Sequence, residues 1–194
     1  LGYIINHIEK KYQINEIIDL SFYEKNNLFL EGTGSVVLNH RSNKAYAVHS
    51  SRTSEEVFIE YCKIIGYKPV FFSANDIDGI PIYHTNVLMS IGPGFSVFCS
   101  ELLSESDKKK VYYSLNDDNI EVVDIGYSQL ENFCGNILSV LDKEGRALVV
   151  MSERAYQAFS KDQLKIISKY AKLVRVSIDY LEDIGGGGIR CMMA

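Results

Sequence analysis

Short apolar runs, each entered through small or flexible residues, recur along the chain at nearly equal spacing. The runs begin at Val36, Val87, Ile137 and Ile189, in steps of 51, 50 and 52 residues. Each of the first three runs is followed by a turn rich in Gly, Asn, Asp or Pro and then by a second apolar run. These second runs occupy residues 45–48, 95–99 and 147–151. Two apolar runs joined by such a turn predict a β-hairpin, so we expect three hairpins.

A helical pattern and a closing strand follow the hairpins. Ser54 opens a segment whose apolar residues recur every three or four positions up to Ile65, and Gly66 ends it. A second such segment follows Ser160. Between them the corresponding segment, 101–114, is polar, and we expect only a short helix or a lid there. A helix is also predicted over residues 4–12. The closing strands are predicted at 68–72, 120–125 and 173–178.

The pattern therefore predicts an α/β fold built from strand-strand-helix-strand units of about 50 residues. Three units are complete, and a fourth begins with an apparent strand around Cys191. We interpret residues 1–194 as a single domain that lacks N-terminal unit(s) and the end of its last unit, because a repeat architecture should not stop inside a strand. An ordinary α+β domain with coincidental spacing is the alternative.

Composition excludes several classes of protein. The 194 residues are 46% hydrophobic and 23% charged, which is typical of a folded domain, and the net charge of −5 argues against nucleic-acid binding. No apolar stretch is long enough for a transmembrane helix, and no secretory signal is recognisable. The four cysteines form no CxxC pair and do not cluster with the four histidines, so we predict reduced thiols in a cytoplasmic protein, with no metal.

Reactive residue types lie at the entries of the repeats. Glu31 precedes the first entry, His84 lies at the second, and Cys191 follows the glycines of the fourth. If the units surround an axis, these entries converge and bring together a nucleophile, a proton carrier and a carboxylate. Cys62 and Cys99 are predicted to be core residues. Cys134 occupies the repeat position of His84, and we expect it to be buried more readily than to line the site.

Several motifs together resemble the pentein superfamily of guanidine-modifying enzymes, also called amidinotransferase or arginine-deiminase-like proteins. Its citrulline-utilisation hydrolase branch is the most similar. The resemblance covers about residues 29–194. The motifs are Leu30-Glu31-Gly32-Thr33-Gly34-Ser35, Ser50-Ser51-Arg52-Thr53, Tyr83-His84-Thr85-Asn86-Val87-Leu88-Met89-Ser90-Ile91-Gly92, Cys134-Gly135-Asn136 and Gly186-Gly187-Gly188-Ile189-Arg190-Cys191-Met192.

The resemblance implies a propeller of five such units around a channel, of which this chain holds an incomplete set. It implies Cys191 as nucleophile, His84 as general acid and base, and Glu31 as an active-site carboxylate. Better-known arginine deiminases have aspartate where this chain has Asn86, which removes an anionic contact to a guanidinium and puts arginine itself in doubt. An acidic residue of an earlier unit also has no counterpart in this chain.

Three further residues are candidate substrate contacts. Asn86 lies two positions after His84 and so shares its face in an extended strand. Arg52 suits a substrate carboxylate through its forked guanidinium, although a structural ion pair explains it equally well. Gly188 belongs to the glycine run, whose bare backbone lets a ligand approach.

The resulting hypothesis is a cysteine hydrolase of a guanidino or ureido small molecule, arginine- or citrulline-like, that needs no cofactor. Cys191 attacks the central carbon to form a thiouronium-type intermediate, which water then cleaves. An amidinotransferase with the same nucleophile is one alternative, and a non-catalytic pentein-fold binding protein is another. The small molecule is the only partner predicted, without nucleic acid or membrane, and a homo-oligomer stays open.

Overall fold

Nine short strands form three separate sheets of three strands each in a computed structural model that describes residues 2–193. The strands are β1 (Val37–Asn39), β2 (Lys44–Val48), β3 (Lys68–Phe72), β4 (Met89–Ile91), β5 (Phe95–Phe98), β6 (Glu121–Asp124), β7 (Leu138–Leu141), β8 (Ala147–Ser152) and β9 (Lys172–Val176). In every sheet the first two strands pair antiparallel and the second and third pair parallel. The predicted unit is therefore present three times.

Helices connect the parallel strands and precede most of the hairpins. They are α1 (Gly2–Glu9), α2 (Gly32–Ser35), α3 (Glu55–Ile65), α4 (Thr85–Leu88), α5 (Glu105–Asp117), α6 (Tyr127–Glu131), α7 (Glu153–Ala158), α8 (Lys161–Ser168), α9 (Asp179–Gly185) and α10 (Ile189–Met192), with a 3-10 helix at Ser21–Asn26. Helix α3 ends as predicted, with Gly66 in a left-handed conformation at φ 72°. Among the residues that the structure describes, no helix is long and apolar enough to cross a membrane.

Three sequence predictions about local structure are wrong. The polar segment of the middle unit forms α5, a helix of 13 residues, because Ser104 caps its N-terminus and Val111 and Leu115 bury its inner face. The apparent strand around Cys191 is the short helix α10, and the apolar run that begins at Val87 starts within helix α4. Apolar runs this short fit a helix or a strand equally well, so hydrophobicity alone could not distinguish them.

The middle strand of each sheet is the most buried part of its unit. Every residue of β2 and β5 is buried, as parallel pairing with cover on both faces requires. In β2 the faces alternate: Tyr46 and Val48 belong to a hydrophobic core that runs through all three units, while Ala45 and Ala47 pack in a smaller cluster with Phe58 of α3. The units thus share one continuous core.

Neighbouring units contact one another in the same way. Strand β1 contacts β4, and β4 contacts β7, so the first strands of the three sheets lie side by side. Helix α5 packs on β3 of the preceding unit, and α8 packs on β6 in the same manner. Because neighbouring units contact one another in the same way, the segments that lead into β1, β4 and β7 lie at the same end of these three strands.

Thr85 connects the first two units through a buried hydroxyl. Its Oγ1 donates to the carbonyl of Ser35 at 2.6 Å and accepts from the N–H of Val48 at 2.8 Å. We expect Thr85→Val, which keeps the shape, to lower the free energy of unfolding by about 2 kcal/mol or more, because it leaves two buried backbone groups unpaired. Urea unfolding measures this value.

Thr33→Val is the matched control, since Thr33 is exposed and the same change there should stay within about 0.5 kcal/mol. Equal effects at the two positions would show that the hydroxyl of Thr85 does not join the units.

Candidate active site

Hydrogen bonds join the entries of successive units at corresponding positions. Thr85 bonds to the Ser35 carbonyl, and Asn136 donates through Nδ2 to the Asn86 carbonyl at 2.9 Å; each pair is separated by 50 residues. The N–H of Arg190 then donates to the Asn136 carbonyl at 3.2 Å. A ladder of contacts therefore connects four segments that lie far apart in sequence, and the candidate catalytic residues lie on it.

Glycines allow the entries to approach this closely. A Cβ at Gly135 would lie 2.2 Å from the carbonyl oxygen of Val87, and one at Gly34 would lie 2.8 Å from both Nδ1 and Cε1 of His84. Neither position accepts a side chain without a shift of its neighbour. The predicted contact residue Gly188 is constrained in the same way, because a Cβ there would lie 2.9 Å from Oδ1 of Asn136.

Glu31, His84 and Arg52 form the first group of predicted site residues. Nε2 of His84 lies 2.8 Å from Oε2 of Glu31, and an Arg52 guanidinium nitrogen lies 3.5 Å from the same oxygen. The Glu31 backbone is held by Ser35, whose Oγ accepts from the Glu31 N–H at 3.0 Å. The His84 side chain is largely buried, whereas those of Glu31 and Arg52 are about half exposed. A carboxylate at hydrogen-bond distance from Nε2 orients the imidazole ring.

Cys191 forms the second group with two asparagines. Its Sγ lies 3.3 Å from Nδ2 of Asn136 and 3.8 Å from Nδ2 of Asn86. The Asn136 amide has a fixed orientation, since its Oδ1 accepts from the Cys191 N–H at 3.3 Å while its Nδ2 donates to the Asn86 carbonyl. Its N–H₂ group therefore faces the sulfur and is able to donate a hydrogen bond to it.

The amide of Asn86 is held differently. Its Oδ1 is buried and has no hydrogen-bond partner among residues 2–193. Backbone groups therefore do not fix which end of this amide faces Cys191. The amide is able to donate N–H to a thiolate or, after rotation, to accept S–H from a thiol.

A cavity of about 120 Å³ opens beside Cys191. Tyr83, Val87 and Phe133 line it on one side, and Glu131, Asn136 and Gly187 also contribute to its wall. Burial raises the pKa of Tyr83 above its ordinary value, and the charge of Cys191 acts in the same direction while Arg52 opposes it. The Arg52 guanidinium lies 5.3 Å from the centre of the Tyr83 ring. Tyr83 thus lies between the two groups of residues.

The segment 83–86 is the physical link between the groups. Tyr83 lines the cavity of Cys191, His84 precedes α4 and contacts Glu31, and Asn86 reaches the sulfur from within α4. No hydrogen bond joins His84 directly to Cys191 in the described part of the chain. Glu31 also lies on the wall of a larger cavity of about 620 Å³ between the first unit and residues 18–29.

Asn136 belongs to the motif Cys134-Gly135-Asn136, but the sequence pattern alone indicates no role for it, nor for Tyr83, Phe133 or Glu131 beside the cavity. The repeat spacing does indicate Asn136, because this residue lies 50 positions after Asn86 and directly follows Gly135 at the start of the third unit. The other three act through tertiary contacts that have no counterpart in the sequence pattern.

The other three cysteines lie in the core, as predicted for Cys62 and Cys99. Burial raises the pKa of Cys62 to about 11, and burial is also the main cause that raises the pKa of Cys99 and of Cys134 to about 12. Cys134, at the repeat position of His84, donates to the carbonyl of Ala155 at 3.4 Å. Cys191 is exposed. Residues 2–193 contain no group of three or more His, Cys, Asp or Glu side chains arranged to hold a metal ion.

Solved structures with a similar fold are enzymes that act on guanidino compounds. The apo structure of ArgZ, an arginine dihydrolase from the ornithine-ammonia cycle in cyanobacteria, superposes with a TM-score of 0.71 at 13% identity, over 98% of this chain and 27% of that one. The N-terminal domain of ArgZ, as a cysteine-to-serine variant bound to substrate, gives 0.69 at 14% identity, over 97% and 62%. Unliganded AgrE gives 0.70 at 14% identity, over 98% and 25%.

The fold is therefore that of ArgZ and AgrE. This chain spans about a quarter of the ArgZ chain and 62% of its N-terminal domain. A comparison with curated protein sequences gives no match. Residues 2–194 match the family model described as N,N dimethylarginine dimethylhydrolase, eukaryotic, and the chain belongs to that family.

The contrast among the cysteines predicts selective alkylation. At pH 8 a thiol of pKa about 11 is ionised in roughly one molecule in a thousand, and only the thiolate is nucleophilic. We expect iodoacetamide to modify Cys191 at least about tenfold faster than Cys62, Cys99 or Cys134, as measured by peptide mass spectrometry over time. If iodoacetamide modified Cys134 as fast as Cys191, Cys134 would not be buried in the core as the structure has it.

The amide of Asn136 should control the reactivity of that thiol. Asn136→Asp keeps an oxygen that accepts from the Cys191 N–H, but it replaces the N–H₂ group by negative charge beside the sulfur. We expect alkylation of Cys191 at pH 8 to slow about tenfold or more. Asn132→Asp is the control: it adds the same charge at the C-terminal cap of α6, where the half-buried side chain donates to the Ser128 carbonyl and not to Cys191, and it should leave the rate within about twofold. If Cys191 is alkylated at an unchanged rate in Asn136→Asp, the Asn136 amide does not control the reactivity of the thiol.

Proposed function

We propose that this protein is a cysteine-dependent hydrolase that breaks a C–N bond of an arginine-like guanidino compound. The observation that carries the proposal is the exposed Cys191 thiol, held by the oriented amide of Asn136 on the same ladder of entries as the Glu31–His84 pair. Membership of the dimethylarginine dimethylhydrolase family makes an N-methylated arginine the first substrate to test.

The proposed reaction begins at the sulfur. The Cys191 thiolate forms an S–C bond to the central carbon of the guanidino group, and the tetrahedral adduct collapses as one amine departs with a proton from His84. The product of this half-reaction is a thiouronium on Cys191. The amides of Asn86 and Asn136 stabilise the thiolate before attack and again when it is released.

Water completes the reaction. His84, now neutral, takes one proton from the water that attacks the thiouronium carbon. The S–C bond then breaks to regenerate the thiolate, and the hydroxyl proton of the adduct passes to solvent, where it is matched by protonation of the released amine, so that a neutral ureido product leaves. Glu31 on Nε2 holds the imidazole in one tautomer and offsets its positive charge, so Nδ1 is the nitrogen that exchanges the proton. Arg52, beside Glu31, offers a cation for the carboxylate of the substrate.

We also propose that the units lie around a common axis as blades of a propeller, with residues 1–194 acting as a single catalytic domain. The repeated contacts of β1 with β4 and of β4 with β7 support this arrangement, as does the likeness to the ArgZ fold. The entries would then face the axis, where a small guanidino substrate is the expected partner.

Removal of the nucleophile should abolish turnover. We expect Cys191→Ser to lower kcat for N,N-dimethylarginine by at least about a thousandfold, because a hydroxyl at neutral pH is a far weaker nucleophile. Thermal unfolding should be unchanged, since the substituted side chain is exposed.

Cys134→Ala is the matched control, a cysteine at a corresponding repeat position whose loss should affect stability and leave kcat within a few-fold. Full activity in Cys191→Ser would end the hydrolase proposal. A product that carries the amidino group on an added amine would instead identify an amidinotransferase.

His84 should affect both half-reactions. We expect His84→Ala to slow formation and breakdown of the covalent intermediate by about 10²–10⁴-fold each, because one imidazole serves both proton transfers. Rapid-quench kinetics separates the two steps. His40→Ala is the control: its ring pairs with the Tyr67 hydroxyl in an exposed position and should have no kinetic effect. A defect confined to one half-reaction would assign the other proton transfer to a different group.

A further inference from the structure

Glu182 is a buried carboxylate whose charge has little compensation. It lies in α9, and its side chain has no surface exposed to solvent. Neither carboxylate oxygen has a hydrogen-bond partner among residues 2–193. The one ion pair that it forms there is with Arg154 of α7, whose Nε lies 3.2 Å from Oε2 without the geometry of a hydrogen bond. A buried charge held so sparsely costs stability, so packing alone does not explain this residue.

Arg154 holds more than this one carboxylate. Its Nη2 donates to Oδ1 of Asp183, the next residue of α9, at 2.6 Å. The guanidinium also lies 5.9 Å from the centre of the Phe133 ring. Arg154 therefore joins α7 to two consecutive carboxylates of α9 and to the segment that precedes β7.

Phe133 connects Arg154 to the amide beside Cys191. Its φ is +61°, in the left-handed region that aromatic residues rarely adopt. The Phe133 carbonyl accepts from the N–H of Asn136 at 2.9 Å, and Nδ2 of Asn136 lies 3.3 Å from the sulfur of Cys191. Backbone strain of this kind clusters at functional sites, where the surrounding structure maintains it. Arg154 is part of that surrounding structure.

A run of glycines leads from α9 to Cys191. Helix α9 ends where the N–H of Gly186 donates to the Glu182 carbonyl at 3.0 Å, and the four glycines at 185–188 continue to α10. Glycine has more conformational freedom than any other residue, so this run holds the thiol in place only if both of its ends are fixed. Asn136 fixes the end at Cys191, and the ion pair of Arg154 with Glu182 fixes the end at α9.

From these contacts we propose that Glu182 and Arg154 are positioning residues, which hold the start of the glycine run so that the Cys191 thiol stays beside the Asn136 amide. The inference rests on the proposed function, since it explains how the nucleophile of that reaction is placed. A displacement of about 1 Å at a reacting group lowers a rate by up to about 10²-fold.

Glu182→Leu separates positioning from stability. Leucine fills nearly the same volume without a buried charge, and Arg154 keeps its bond to Asp183, so the midpoint of thermal unfolding should equal that of the wild type or exceed it. The start of the glycine run should nevertheless loosen. We expect kcat for N,N-dimethylarginine to fall about tenfold or more while KM stays within about threefold, because the groups that contact the substrate are unchanged.

Amide hydrogen exchange gives a second readout, which does not depend on turnover. The N–H groups of Gly186, Arg190 and Cys191 are hydrogen-bonded at the two ends of the glycine run. In Glu182→Leu we expect the peptide that contains them to exchange at least about tenfold faster, while peptides of β8 keep the wild-type rate. Arg154→Met combined with Glu182→Leu should give the same two results, since it removes the other partner without leaving a buried charge.

Arg175 and Glu153 form the matched control pair. A guanidinium nitrogen of Arg175 lies 3.5 Å from Oε1 of Glu153, and this guanidinium also lies over an aromatic ring, 4.4 Å from the centre of Tyr156. In the described part of the chain neither side chain forms a hydrogen bond or ion pair with α9 or the glycine run. Arg175→Met combined with Glu153→Leu should leave kcat and the exchange of the glycine-run peptide within about twofold of the wild type.

Undiminished kcat in Glu182→Leu, exchange of the glycine-run peptide at the wild-type rate, or a lowered unfolding midpoint would each overturn the positioning role. The exchange measurement is independent of catalysis. A protein that hydrolyses no guanidino compound, but whose glycine run loosens in Glu182→Leu, would keep the positioning residues and lose the proposed function. One that hydrolyses dimethylarginine equally well with Leu at position 182 would keep the function and lose the positioning residues.

Discussion

The close stacking of the unit entries is the constraint on which the rest of the structure depends. Buried hydrogen bonds connect Ser35 to Thr85 and Asn86 to Asn136, so the same contact recurs one repeat length further along the chain. Gly135 permits the approach because any side chain there would collide with the Val87 carbonyl. The three sheets place their first strands side by side, and residues more than 100 positions apart meet as a consequence.

This stacking also determines the electrostatics of the site. Asn136 bonds to backbone groups on both sides of it, so its amide has one orientation and presents N–H to Cys191. Cys134, two residues earlier, lies in the core, where burial raises its pKa to about 12. Two cysteines of the same chain thus have opposite character because one faces the entries and the other faces the core.

Much of the fold follows from the sequence because its units repeat. The turns at 41–44, 92–94 and 142–145 are rich in Gly, Asn, Asp or Pro, and the strands on either side of them alternate between two buried faces, which leaves few other local structures open. Glu31, His84 and Cys191 could be proposed because each is a reactive residue at an entry. Their pairing with one another follows from tertiary contacts, which spacing does not describe.

What the sequence could not predict has identifiable physical causes. The polar composition of α5 hides a helix that is stabilised by a cap and by a few buried residues, and the four-residue helices α4 and α10 are too short to show a period. The left-handed backbone of Phe133 is also invisible in sequence, since nothing in its residue type favours that conformation. Both the helix α10 and Phe133 lie next to Cys191, where tertiary contacts override local preference.

Cys191 is the residue proposed to form the covalent bond to the substrate. The most direct measurement of that bond is mass spectrometry of the protein quenched with acid during turnover of N,N-dimethylarginine, followed by peptide mapping. We expect an added mass equal to substrate minus dimethylamine on the peptide that contains Cys191, and none on that peptide in Cys191→Ser. An adduct on Cys134, or undiminished turnover of N,N-dimethylarginine by Cys191→Ser, would contradict this assignment.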